Sequence, residues 1–146
     1  EEGKVIIIAW VMPCFTCILD PVAAYAVAEE YAETNPDQVV YYLADDFGNT
    51  NCTTLTDWAN NYNLTNVTTF SNPLLKMADY GDYGMPKIIV LGGADHKIYY
   101  NQNSSSDGIG EAIDNAIEDI NSVSVNDIDT SIEINVFQIL FIIFFL

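Results

Sequence analysis

The sequence predicts an α/β domain in which a central mixed sheet of about four strands is flanked by helices. Three observations carry this expectation. Val5-Ile6-Ile7-Ile8-Ala9-Trp10 is an unbroken apolar, largely β-branched run, the pattern of a central strand covered on both faces. A helix-length pattern separates it from a second such run, Val39 to Ala44, and two strands joined this way form a βαβ unit and lie parallel. Late in the chain, Lys87 to Leu91 and His96 to Tyr100 flank Gly92-Gly93-Ala94-Asp95 and read as a β-hairpin.

Between these strands the helical periodicity is clear. From Phe15 to Glu33, the residues Ile18, Val22, Tyr25, Ala26 and Glu29 fall on one face, and Asn35-Pro36-Asp37 is a stop signal. Pro21 lies inside that stretch, where it removes one helical hydrogen bond and should kink the helix. After the polar loop Asp45 to Asn51, a second helix is expected from about Thr53 to Tyr62, with Leu55, Trp58 and Ala59 inward. The segment Asn63 to Gly84 is less regular, with room for a short extra strand at Val67 to Phe70 and a helical turn or two from Pro73 to Tyr80. Ile109, Ala112, Ile113, Ala116, Ile117 and Ile120 mark one face of a closing helix.

The domain is therefore expected to span residues 1–121, with 122–146 a linker and tail. Ser122 to Ser131 is small, polar and acidic, as a linker would be. The apolar run Ile139 to Leu146 is far shorter than the roughly 20 residues a membrane helix needs. The opening Glu1-Glu2-Gly3 directly before a strand is what a mature, processed protein would show, and a trimmed chain would look the same.

Of 146 residues, 21 are acidic and only 4 are basic, all lysines, for a net charge of −17. That balance argues against nucleic acid and anionic membranes as partners, since both attract positive charge. A soluble monomer is the expectation.

The chemistry concentrates in Trp10-Val11-Met12-Pro13-Cys14-Phe15-Thr16-Cys17. A C-x-x-C pair where a buried strand enters a helix suits redox work: the first sulfur meets unpaired amides, which favour a thiolate, and the second can close a disulfide. A bridge that merely pins the turn is the plainer alternative. A metal site is a third, but Cys52 and His96 are the only other Cys and His, so four N or S ligands would consume all of them. We expect no metal and no cofactor. Cys52 is expected to be a buried, inert thiol; otherwise it could exchange disulfides with Cys14 at the same sheet edge. His96 is expected to be an exposed residue at the start of a hairpin strand.

Taken in order, strand with C-x-x-C, helix, parallel strand, helix, Met85-Pro86, hairpin and helix resemble the minimal thioredoxin fold over roughly Lys4 to Ile120. The resemblance implies a cis-proline before the hairpin, at Pro86, and matches Trp10 to the family's tryptophan four residues before the first cysteine. It implies a thiol-disulfide oxidoreductase with Cys14 and Cys17 catalytic, acting on thiol- or disulfide-containing proteins with a separate redox partner. Pro86, Met85, Trp10, Pro13, Phe15 and Thr16 would form the substrate groove, the free backbone of Met85 pairing with the substrate. The same fold used as a non-catalytic binding or adhesion module, with Cys14–Cys17 a structural bridge, is the alternative.

Three departures stand out. The further strand and helix that thioredoxin has before the redox strand are missing from this sequence. Ile8 stands where many relatives keep a buried acid, leaving water as the default acceptor of the Cys17 proton, and the helix proline falls one residue early. Asn63 to Gly84 is similar to the insertion of periplasmic and secreted relatives, which implies that location. The tail Ser131-Ile132-Glu133-Ile134-Asn135-Val136-Phe137 resembles the start of a type IX secretion sorting domain of Bacteroidetes proteins, in which Pro-Asn-Pro should follow. Loss of one T from TTT CCA AAT CCT gives TTC CAA ATC CT, and since CT followed by any base encodes Leu, the shifted frame reads as the Phe137-Gln138-Ile139-Leu140 found.

Overall fold

The computed structural model describes residues 3–93 and 95–122. In chain order it contains β1 (Val5–Val11), α1 (Leu19–Thr34), β2 (Val39–Asp45), α2 (Cys52–Asn61), β3 (Thr68–Phe70), a 3₁₀ turn (Met77–Tyr80), β4 (Lys87–Gly92) and β5 (Lys97–Asn103). Residues 109–122 are helical and are called α3. The tail and its sorting-domain likeness lie outside the described residues.

The sheet has five strands, not about four, in the order β3-β2-β1-β4-β5. The extra member is the short β3, which pairs parallel to β2 from Tyr42↔Thr68 to Ala44↔Phe70. β1 runs parallel to β2 and antiparallel to β4, and β4 and β5 form the hairpin.

All seven residues of β1 are buried, because the strand is central and both its faces are covered. Val5, Ile7, Ala9 and Val11 pack with α1 (Ala24, Tyr25, Ala28), α2 (Leu55, Ala59) and α3 (Ile109, Ala112, Ile113, Ala116). Ile6, Ile8 and Trp10 point to the other face and meet Met77, Ile89 and Leu91. Strand alternation thus feeds two cores from one run of apolar residues.

Two expectations about α1 change. The helix begins at Leu19, not near Phe15, and Pro21 therefore occupies its first turn rather than its interior. A helix started at Phe15 would drive the Pro21 ring into the carbonyl of Cys17, whereas in a first turn the missing N–H has no partner to lose. The buried face is Pro21, Ala24, Tyr25 and Ala28, with Ala26 exposed.

One edge of the sheet collects the loops that matter. Val11 pairs with Asp45, Ala44 with Phe70 and Trp10 with Lys87, so β1, β2 and β3 end where β4 begins. The turn carrying His96 joins β4 to β5 at the opposite edge.

Candidate active site

Cys14 and Cys17 are joined as a disulfide, with their Cα atoms 5.5 Å apart. They sit in the irregular loop between β1 and α1, since Pro21 delays the helix. Cys17 is not a turn inside a helix, as the sequence suggested, but precedes it. The two sulfurs still differ in access: Cys17 is only 6% exposed, while Cys14 is half-buried. Beside Cys14, the Thr16 hydroxyl oxygen lies 3.4 Å from Sγ, close enough to donate to a thiolate.

Of the other expected groove residues, Phe15 and Thr16 are exposed and Pro13 is half-buried, all in this loop. The Met85–Pro86 bond is cis, as expected, and Pro86 stands one residue before Lys87, at the position that faces Val11 across the adjoining strand. Pro86 itself is buried and Met85 half-buried. The Met85 carbonyl is not free: it accepts a hydrogen bond from the Ser104 hydroxyl at 2.8 Å. The Ser104 N–H also donates to the Pro86 carbonyl at 2.7 Å, which ties this loop to the end of β5. Trp10 is fully buried, donates its Nε1–H to the Leu75 carbonyl at 3.1 Å and packs against Tyr80 at 5.2 Å. It underlies the edge and does not line an open groove.

Sequence reasoning missed two acids and a cation here. Asp45 and Asp46 are 1% and 7% exposed, and the Asp46 N–H donates to the Val11 carbonyl at 3.0 Å. Burial holds the Asp46 carboxyl above the usual range, and the charge of Asp45 adds to the effect, although backbone N–H donors at Phe47 and Asp46 oppose it. Asp45 accepts from the Asn49 and Thr50 amides through Oδ2, while its buried Oδ1 has no partner. The available signal was a pair of acids closing a strand otherwise apolar. Lys87, 2% exposed, donates to the Asn103 side-chain oxygen at 3.2 Å and to the Asp82 carbonyl at 3.3 Å.

Cys52 is exposed, contrary to the expectation of a buried thiol. It is the first residue of α2, after the N-cap Asn51, and overhangs the end of the sheet; its Sγ lies 4.0 Å from the Thr69 carbonyl oxygen. His96 is exposed at the far edge, so it cannot join Cys14 and Cys17 in one metal site. Among the described residues no group of three His, Cys, Asp or Glu side chains is arranged to hold a metal ion, and no helix is long and apolar enough to cross a membrane.

Comparison with solved structures identifies the class of fold. A thioredoxin-family thiol:disulfide interchange protein from Chlorobium tepidum superposes with a TM-score of 0.59 at 15% identity, over 80% of this chain and 81% of that one. A thiol-disulfide isomerase from Corynebacterium glutamicum gives 0.57 at 15% identity, over 80% and 82%. A secreted disulfide oxidoreductase of Mycobacterium tuberculosis gives 0.51 at 19% identity, over 77% and 81%. The fold is thioredoxin-like. No family model matches the sequence, and no curated protein matches it.

Proposed function

We propose that this protein is a thiol-disulfide oxidoreductase that works outside the cytoplasm, with Cys14 as the attacking thiol and Cys17 as the resolving one. The observation that carries the reading is the unequal access of the two sulfurs in a disulfide set at the edge where the cis-proline loop also opens. A purely structural bridge gains nothing from leaving one cysteine more accessible than the other.

In the reduced protein, the Cys14 thiolate attacks a substrate disulfide, forming a mixed disulfide and releasing one substrate thiolate, which takes a proton from water. Cys17 then loses its proton and attacks Cys14 Sγ; the second substrate thiolate leaves, and two electrons have passed to the substrate. Run backwards, the same steps oxidise a substrate dithiol. Thr16 supports the Cys14 thiolate by hydrogen bonding, taking over from the helix amides that α1 starts too late to supply. With Ile8 in the place of the relatives' buried acid, water takes the Cys17 proton.

The location is supported by the secreted protein among the similar structures. The substrates are polypeptides, met by a monomer.

Two measurements test the reading. Titrated against glutathione, the pair should interconvert between about −120 and −270 mV. Cys17→Ser should trap a disulfide substrate on Cys14, and Cys14→Ser should trap none. A pair that stays oxidised below about −300 mV, with no trapped complex, would make the domain a binding module with a structural bridge.

A further inference from the structure

Three segments close over the sheet face that carries Trp10, the face opposite α1, α2 and α3. Asp46 and Phe47 come from the loop after β2, Leu75 and Met77 from the stretch that enters the 3₁₀ turn, and Tyr83 from the loop before β4. Gly48 lets the first two meet: its φ is +66°, and a Cβ there would lie 2.4 Å from the Pro73 nitrogen. Between the three lies a cavity of about 180 Å³.

Its lining divides by chemistry. Leu75 and Met77, the latter 1% exposed, are apolar, and the rings of Phe47 and Tyr83, stacked with centroids 6.3 Å apart, stand exposed beside them. The charged lining residues are one acid and one base. Asp46 is 7% exposed, and burial holds its carboxyl above the usual range, so once ionised it is short of compensation. Lys76 is exposed, one of only 4 basic residues in a chain with 21 acids. Among the described residues no salt bridge joins the two, so each charge is open to a ligand.

We infer that this cavity binds a free α-amino acid with an apolar side chain, its ammonium group at Asp46, its carboxylate at Lys76 and its side chain against Leu75, Met77 and the two rings. The cavity lies below the roughly 300 Å³ at which pockets take drug-sized molecules, which suits a ligand the size of one amino acid. A simple cation would leave Lys76 facing a like charge, and a simple anion would meet the buried Asp46 carboxylate; a zwitterion satisfies both. The net charge of −17 repels free anions, whereas a zwitterion has no net charge to be repelled. Neither Cys14 nor Cys17 lines the cavity, so the inference stands apart from the redox reading.

Trp10 supplies the readout. Its Nε1–H donates to the Leu75 carbonyl at 3.1 Å and its ring packs 5.2 Å from Tyr80, whereas Trp58, the other tryptophan, lies on α2 in the core across the sheet. When the isotope-labelled full chain is titrated with L-leucine, the Trp10 indole N–H resonance should shift and saturate at millimolar concentration or below, and that of Trp58 should stay. Leucinamide, which lacks the carboxylate, and N-acetylleucine, which lacks the ammonium, should each bind about tenfold more weakly, the worth of one charge-assisted hydrogen bond. Glycine, with no side chain to place, should also bind more weakly than leucine. Asp46→Asn and Lys76→Met should each weaken leucine by about the same tenfold factor, the rest of the spectrum showing that the fold is kept. A Trp10 resonance that leucine leaves unmoved, or moves no more than that of Trp58, would overturn the site. Leucinamide binding as tightly as leucine would leave no part for Lys76, and N-acetylleucine doing so would leave none for Asp46; either result would overturn the zwitterion. Glycine binding as tightly as leucine would overturn the apolar side chain.

Discussion

Thr16 acts on Cys14 through one hydrogen bond, and the chemistry of the site depends on such single contacts. Thr16→Val keeps the shape and removes the donor, so it should make the Cys14 thiolate harder to form and slow its labelling at mildly acidic pH. The pH dependence of iodoacetamide labelling in a Cys17→Ser background measures this. Asp46 makes a second, opposite case. Its folded pKa is raised, so the folded chain holds that proton to higher pH than the unfolded chain does; the contribution to stability is present below the unfolded pKa and lost as pH rises through the folded one. Once ionised, the carboxylate is a cost. Asp46→Asn should therefore raise Tm at neutral pH, and the difference from the wild type should vanish in acid, as thermal melts across pH would show. The cysteine pair was legible in the sequence because its chemistry is covalent and its spacing fixed. Cys52 was not: it shares the stripe of Leu55 and Ala59, three and seven residues on, and periodicity does not say where the sheet beneath that stripe ends.

Among elements, those with long unbroken signals were readable and those set by a single clash were not. The apolar runs gave β1, β2 and β4 with their pairing, and the stripe from Ile109 gave α3. The start of α1 turned on Pro21, which periodicity alone left inside the helix. β3 is three residues long and has two exposed side chains, so its place in the sheet comes from pairing with β2, which no local pattern encodes. The loop before β4 depends on side chains that the sequence keeps far apart. Asn103, at the end of β5, receives a hydrogen bond from Lys87 and donates one to the Asp82 carbonyl, and a Cβ added at Gly84 would lie 2.6 Å from its side chain. Asn103→Ala would leave the buried Lys87 ammonium with the Asp82 carbonyl alone among these partners. The expected loss is about 1–3 kcal/mol in urea unfolding, with the slope unchanged. Gly84→Ala should reach a similar loss from the other direction, by displacing Asn103.

For the whole molecule the dominant quantity is charge, and it was visible from composition alone. Four lysines against 21 acids leave a net of −17, and one of those lysines is buried, so it does little to relieve the surface. The exposed Lys97 is already engaged, with Asp119 at 3.6 Å and the Tyr99 ring at 4.7 Å. The field outside the protein is consequently negative, and it bears on the redox edge because thiol-disulfide exchange brings charged small molecules to Cys14. Oxidised glutathione is an anion, hydroxyethyl disulfide is neutral, and both present the same disulfide bond. Repulsion should slow the first and leave the second alone, and salt should remove the difference. Raising ionic strength from 0.01 to 0.15 M shortens the screening length from about 30 Å to about 8 Å. Over that range the rate constant of reduced protein with oxidised glutathione should rise severalfold, while that with hydroxyethyl disulfide stays level. A glutathione rate that instead fell with salt would mean that the local field at Cys14 is positive despite the net charge.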